Sequence, residues 1–438
     1  MKKKLFLVII LMIIFMINTY AQFKISGEFR TRGEINNGLK NIPDSNDITG
    51  LYVSQRTRIK FSYKNEKYET KISIQDVRAW GSENISSMTG VWGNSAGIDV
   101  HEAWVDLKLW NHSNLKIGRQ ELKYDDMRML SWRNWNQYGL TYDALVYKFK
   151  KSEWSIDLGL SLNNRQEKMN GANFGCSDYY IDYNRMKTMD YFYLKKQFND
   201  NLYVSYTSLG AGFLKQYTST TIYMTVNNAL HINYKNNKFD LKTNGIIQNG
   251  KSAIGKDINA FLISFDAGYK IKKFRLGAGF SVLSGNDASD TTTNYFETDH
   301  AFNLLYGTRK SYFGWMNMFT TPATTANGGV VDVYGNLCWD ITKVDKLNAF
   351  YHFFALQNIV ADYTVNTIGV YFDKKLGSEI DVNYCHNFSK EIQLDIFFTT
   401  FLPSKTMNLL KGVDEDNSVF TCWSGIMLTV KPTFFISK

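Results

Sequence analysis

The chain has 438 residues, 44% of them apolar and 15% aromatic, with a formal charge of +9, a pI near 9.0 and a mean hydropathy of −0.29. A polar average with no internal run near twenty apolar residues excludes a bundle of membrane helices. The basic pI invites a nucleic-acid reading, but the cations follow strand parity and form no helical basic patch, which excludes it.

Residues 1–21 read as a cleaved secretory leader. Lys2, Lys3 and Lys4 precede an apolar run from Leu5 to Ile17, and Thr19 and Ala21 place small residues before a cut at Gln22. Losing the three lysines lowers the charge to +6. Residues 22–438 carry no linker, low-complexity tract or change of period, so they read as one domain.

From Phe23 the chain alternates strictly. Phe23, Ile25, Gly27, Phe29 and Thr31 share one face; Lys24, Ser26, Glu28, Arg30, Arg32 and Glu34 share the other. A second strand sets Val53, Thr57, Ile59, Phe61 and Tyr63 against Ser54, Arg56, Arg58, Lys60 and Ser62. Further strands follow at Tyr68–Val77, Val100–Trp110, from Leu115, and at Trp154–Leu162. An Arg or Lys turned to lipid at mid-membrane costs roughly 2–4 kcal/mol, so the charged faces are expected to look inward. Trp423 to Ile436 gives a closing strand ending in Phe434, Phe435 and Ile436, with Pro432 near its end.

The connections alternate too. Short turns lie near Asn65, His112, Lys151, Asp200, Asn236, Lys272, Lys343 and Lys390. Longer polar loops fall near 35–51, 78–99, 121–140, 164–186, 211–221, 250–255, 284–328, 357–375 and 403–418. Short on one side and long on the other is the wiring of an outer-membrane barrel. The expectation is an all-β fold: a transmembrane, antiparallel, up-and-down β-barrel of about eighteen strands. Such a barrel has a water-filled lumen, here with inward-folded loops.

Three polar clusters interrupt the pattern: QDVRAWG at 75–81; GRQELKYDDMRMLSW from Gly118, continuing to YDAL at 142–145; and LSGND at 283–287, followed by AFNLLYGTRKSYFGWMNMF at 301–319. In these segments the chain resembles the alginate-export family of outer-membrane porins, eighteen-stranded channels for an anionic uronate polysaccharide. That resemblance implies a constriction lined by Arg78, Arg119 and Arg128, with Asp76 and Asp125 or Asp126.

The residues support an electropositive pore on their own terms. Arg30, Arg32, Arg56, Arg58 and Lys60 lie on adjacent inward faces, and Arg133 joins the loop after Gly118. Fixed guanidinium forks attract carboxylates, and a ring of them favours anions. Glu28, Asp76, Asp125 and Asp126 would keep binding weak enough for release. The competing reading pairs the arginines with lumen carboxylates, which stiffens the barrel. Trp80, Trp92, Trp132 and Trp135 suit sugar stacking or, more simply, loop packing. Asn286, Asp287, Asp290, Glu297 and Asp299 make an oxygen-rich run with Ca²⁺ as a candidate ligand, although the spacing is not that of an EF-hand. No other metal or cofactor is expected. Cys176, Cys338, Cys385 and Cys422 are far apart and read as scattered thiols; the alternative is a disulfide formed in an oxidising compartment, whose pairing the spacing does not specify.

The expected function is passive passage of anionic solutes, with uronate-containing oligo- or polysaccharides first and a general anion-preferring porin second. The expected partners are outer-membrane lipid, the solute and the barrel assembly machinery. Neither HExxH nor a nucleophilic serine motif accompanies the six histidines, so no enzyme is expected. Alternation begins at Phe23 and leaves no room for an N-terminal plug. A secreted, soluble carbohydrate-binding β-protein is the alternative outside the membrane.

Overall fold

Each strand has one charged and one oily face, and the structure satisfies both by closing the sheet on itself. The computed structural model describes residues 22–81, 97–163, 186–215 and 221–437, except 366 and 368. The expected leader, Trp92 and Cys176 therefore lie outside the described residues.

Eighteen strands form the wall. The first nine are β1 (Gln22–Asn37), β2 (Gly50–Lys64), β3 (Tyr68–Ala79), β4 (Ile98–Trp110), β5 (Ser113–Gln120), β6 (Tyr142–Lys151), β7 (Trp154–Leu162), β8 (Met186–Asn199) and β9 (Leu202–Leu214). The second nine are β10 (Ile222–Lys235), β11 (Phe239–Lys251), β12 (Asp257–Ile271), β13 (Phe274–Leu283), β14 (Val330–Asp340), β15 (Asp345–Ala355), β16 (Lys375–Asn387), β17 (Ile392–Pro403) and β18 (Thr421–Val430). Each pairs antiparallel with the next, and β18 returns to β1 from Phe29↔Val430 to Asn37↔Cys422. Past Pro432, Thr433–Ile436 continues beside the start of β1. All eight short turns fall where the alternation places them, as do the six longer loops that lie wholly or almost wholly within the described residues.

The burial pattern is inverted relative to a soluble protein. Ile59, Ile72, Leu160, Ile263 and Ile426 stand exposed on the outer wall, while Glu28, Arg30, Arg56 and Arg58 are buried inside. A wall of exposed apolar side chains around charged ones is stable only against lipid, which removes the soluble alternative. Among the described residues no helix is long and apolar enough to span a membrane; strands make the crossing.

Four loops turn inward and fill the middle of the lumen, which is less open than eighteen strands alone imply. From 284–329, Phe302, Phe313, Met316, Met318 and Phe319 pack on Ile246, Leu262, Phe354, Phe397, Phe401 and Trp423 of the wall. Ile42 of the first loop and Met407 of the helix Lys405–Leu410 join them. Each such buried side chain contributes roughly 1.5–3 kcal/mol. Toward the short-turn side there remains a chamber of about 930 Å³, walled by β10–β15 and roofed by Asp126, Arg128 and Tyr312.

Candidate pore and its inward loops

The loop of 121–141 has no regular structure, so its carbonyls need donors from elsewhere. The arginines of β1 and β2 supply them. Arg30 donates to the carbonyls of Asn134 (2.8 Å), Trp135 (3.2 Å) and Asn136 (2.9 Å), and its Nε to the Gln137 side chain. Arg32 reaches Trp135 O at 3.1 Å, and Arg56 reaches the carbonyls of Asn134, Asn136 and Gln137. Arg58 donates to Tyr138 O at 3.0 Å. Five consecutive carbonyls, 134–138, thus rest on four guanidiniums. Carboxylates complete the cluster: Glu28 pairs with Arg56 and, at 3.0 Å, with Lys60, while Glu34 sits 2.8 Å from Arg32.

The ladder therefore faces inward as expected, but its four arginines do not face water. Arg56 is 0% and Arg58 2% exposed. Its geometry matches the stiffening alternative: the groups are consumed by a loop and by Glu28 and Glu34.

The other end of that loop crosses to the far wall. Asp125 accepts from Tyr193 (2.9 Å) and Ser205 (2.7 Å), and Asp126 accepts from Asn244 at 2.8 Å. Arg128 stacks on Tyr312, 3.6 Å from the ring centroid, and donates to Ser281. Arg133 donates to the carbonyls of Leu305 and Gly307. Thr308 N donates to Met127 O at 2.9 Å. The second and third sequence clusters thus interlock across the lumen. Gly307 is required there, since a Cβ would lie 2.1 Å from the Arg128 carbonyl oxygen.

Asp76, Arg78 and Arg119 do not reach the constriction, which corrects the expectation drawn from the resemblance. Asp76 and Arg78 share parity with Ile72 and Ile74, both exposed on the outer wall, and pair with each other at 2.7 Å. Arg119 shares parity with exposed Ile117 and forms a two-pronged pair with Asp143 at 2.9 and 3.0 Å. Both pairs sit near the long-loop ends of their strands.

The tryptophans divide similarly. Trp80 is exposed on the outer rim and donates to Gln55, which shares its parity with Ile59. Lys123 covers Trp132 at 4.2 Å, and Trp135 packs between Phe397 and Trp423. The oxygen-rich run is not gathered for a cation. Asp287 and Asp290 each cap their own turns, Asp299 accepts from Ala301 N, and no cluster of three acidic, His or Cys ligands occurs among the described residues. Cys338, Cys385 and Cys422 are free thiols.

Lys60, the one lysine of the expected ladder, keeps an inward side chain 26% exposed. It belongs with a set of cations that the sequence reading did not single out, among them Lys71 at 25% and Arg275 at 24%. Lys116 lies inward over Trp104, and Lys242, Lys270 and Lys346 line the chamber. Most strands place a lysine or arginine on the inner face of the short-turn half, countered in part by Glu102, Asp240 and Asp266. The signal for these cations is the strand alternation itself, which puts Lys71 on the face of Ser73 and Gln75.

A closed eighteen-stranded barrel with an oily outer wall and inward loops is a solute channel of the outer membrane, not an enzyme. Residues 21–408 match the family model described as Alginate export, and the chain belongs to that family. In fold it is similar to OccAB4 of Acinetobacter baumannii, with a TM-score of 0.57 at 12% identity, covering 94% of this chain and 98% of that one. OpdQ of Pseudomonas aeruginosa gives 0.59 at 11% over 94% and 98%, and opdK of the same organism 0.59 at 9% over 94% and 99%. No curated protein matches the sequence.

Proposed function

We propose that this channel passes anionic solutes, with uronate-containing oligo- or polysaccharides as the preferred class, and that lysines make its electropositive surface. The observation that carries the reading is the placement of Lys60, Lys71, Lys242, Lys346 and Arg275 on partly exposed inner faces, while the β1–β2 arginines are withdrawn from water. Only a charge that meets solvent can draw a counter-ion into a pore, and low-dielectric walls focus its field. Carboxylates such as Asp240 and Asp266 among these cations keep occupancy short, as conduction requires. Membership of the alginate-export family supports the uronate preference. Export through a leader at residues 1–21, and assembly by the barrel machinery acting on the aromatic C-terminal strand, belong to the same proposal.

The test is reversal potential across a planar bilayer in a salt gradient, followed by block with polyuronate and with a neutral glucan. Chloride preference is expected, and Lys242→Glu combined with Lys346→Glu should reduce it. Arg119→Glu, on the outer wall, should leave selectivity unchanged. Cation preference in the unmodified protein would discard the proposal. Equal block by both polymers would leave the general anion-preferring porin.

A further inference from the structure

Lys310 has no counterpart in the channel just described. Its stem is half-buried, yet Nζ is shut off from solvent and has no hydrogen-bond acceptor. A lysine near a cavity ordinarily extends its ammonium to water. This one turns it into aromatic rings. Nζ lies 3.2 Å from the centroid of Trp135, 4.4 Å from Trp423, 4.6 Å from Trp315 and 5.3 Å from Phe397. Those distances lie inside the range over which ring faces attract a cation.

The rings come from four separate parts of the fold. Trp135 belongs to the 121–141 loop, Trp315 to the 284–329 loop that carries Lys310, Phe397 to β17 and Trp423 to β18. Trp423 Nε1 also donates to Glu34 of β1 at 2.9 Å, tying the box to the seam where the barrel closes. We infer that these four rings form an ammonium-binding box that the chain fills with its own Lys310, latching the 121–141 and 284–329 loops to the β18–β1 seam.

Burial, and then Arg32, whose guanidinium lies over Trp135 and Trp423, hold the amine of Lys310 well below the usual lysine range, opposed only in part by Asp381, Glu34 and Glu379. The ring quadrupoles side with the carboxylates. A methionine would fill the same space without taking a charge out of water. What an ammonium adds is a contact that a soluble ammonium can replace, and the box then accepts primary alkylammonium ions as a class.

The experiment uses the full-length protein in planar bilayers and reads its own current fluctuations and tryptophan emission. It therefore stands apart from which ion the pore prefers. Lys310→Ala should raise switching between conductance levels roughly thirtyfold, the factor expected from losing a desolvated cation–ring contact. Millimolar n-butylammonium should return the variant to the unmodified pattern and shift its tryptophan emission, whereas n-butanol should do neither. Lys310→Met keeps the volume and should behave as the alanine variant does. Heat-modifiable migration on a gel checks that each variant is a folded barrel. If only the methionine variant folds, its switching decides the matter. A methionine variant indistinguishable from the unmodified protein overturns the inference, as does rescue by butanol equal to that by butylammonium.

Discussion

The two loops that meet inside this barrel are held by opposite chemistries. The 121–141 loop contributes bare carbonyls, and wall arginines satisfy them. The 284–329 loop contributes Phe313, Met316, Met318 and Phe319, and an apolar wall absorbs them. A polar loop cannot satisfy its own backbone when it leaves water, so it needs donors fixed on rigid strands. An aromatic and methionine-rich loop needs only a matching surface. Polar anchors exist on the apolar side too: Glu379 of β16 accepts from the backbone N–H of Met316 at 2.7 Å, Gln248 of β11 both donates to and accepts from the Asn303 backbone, and Arg133 serves the carbonyls of Leu305 and Gly307.

Breaking the polar side should cost most. Arg56→Ala removes the donor to Gln137 O, halves the donors to Asn134 O and Asn136 O, which Arg30 still serves, and leaves Glu28 with Lys60 alone, so a loss of about 3–5 kcal/mol is expected. Urea titration of the detergent-solubilised barrel, followed by its gel shift, measures this. On the apolar side, Met316→Ala leaves a cavity worth about 2–5 kcal/mol by the same titration, with selectivity unchanged. Where the loops interlock, Gly307→Ala should cost about 1–3 kcal/mol, because the new Cβ meets the Arg128 backbone. An outer-wall pair supplies the reference. Arg119→Ala breaks an exposed bridge to Asp143 and should cost less than about 1 kcal/mol; a loss as large as that of Arg56→Ala would mean the two walls have been ranked wrongly.

Much of the fold was legible because a strand's two faces are a local property. Arg30, Arg32, Arg56 and Arg58 look inward as their parity requires, and each short turn lies where the alternation breaks. The same parity contradicted the resemblance. Asp76 and Arg78 alternate with Gln75 and Val77 and share the face of Ile72 and Ile74, and Arg119 shares that of Ile117. Reading those three as pore residues set family likeness above the register of their own strands. The register was correct.

The candidate site was less legible. Lys310 reads as an ordinary loop lysine beside Arg309, and no local pattern announces a box assembled from residues 135, 315, 397 and 423. His101 is a smaller case. A β-bulge opposite Ser73 and Ile74 turns both His101 and Glu102 inward, which brings His101 to Arg58 and Glu121.

By itself the sequence determined which side of each strand meets lipid and how the strands are wired, because the cost of a charge in hydrocarbon acts on every residue separately. Only the tertiary structure decided which inward charges meet water. The guanidinium of Arg30 and the carbonyls it serves lie about a hundred residues apart, and nothing short of the closed barrel brings them within a hydrogen bond.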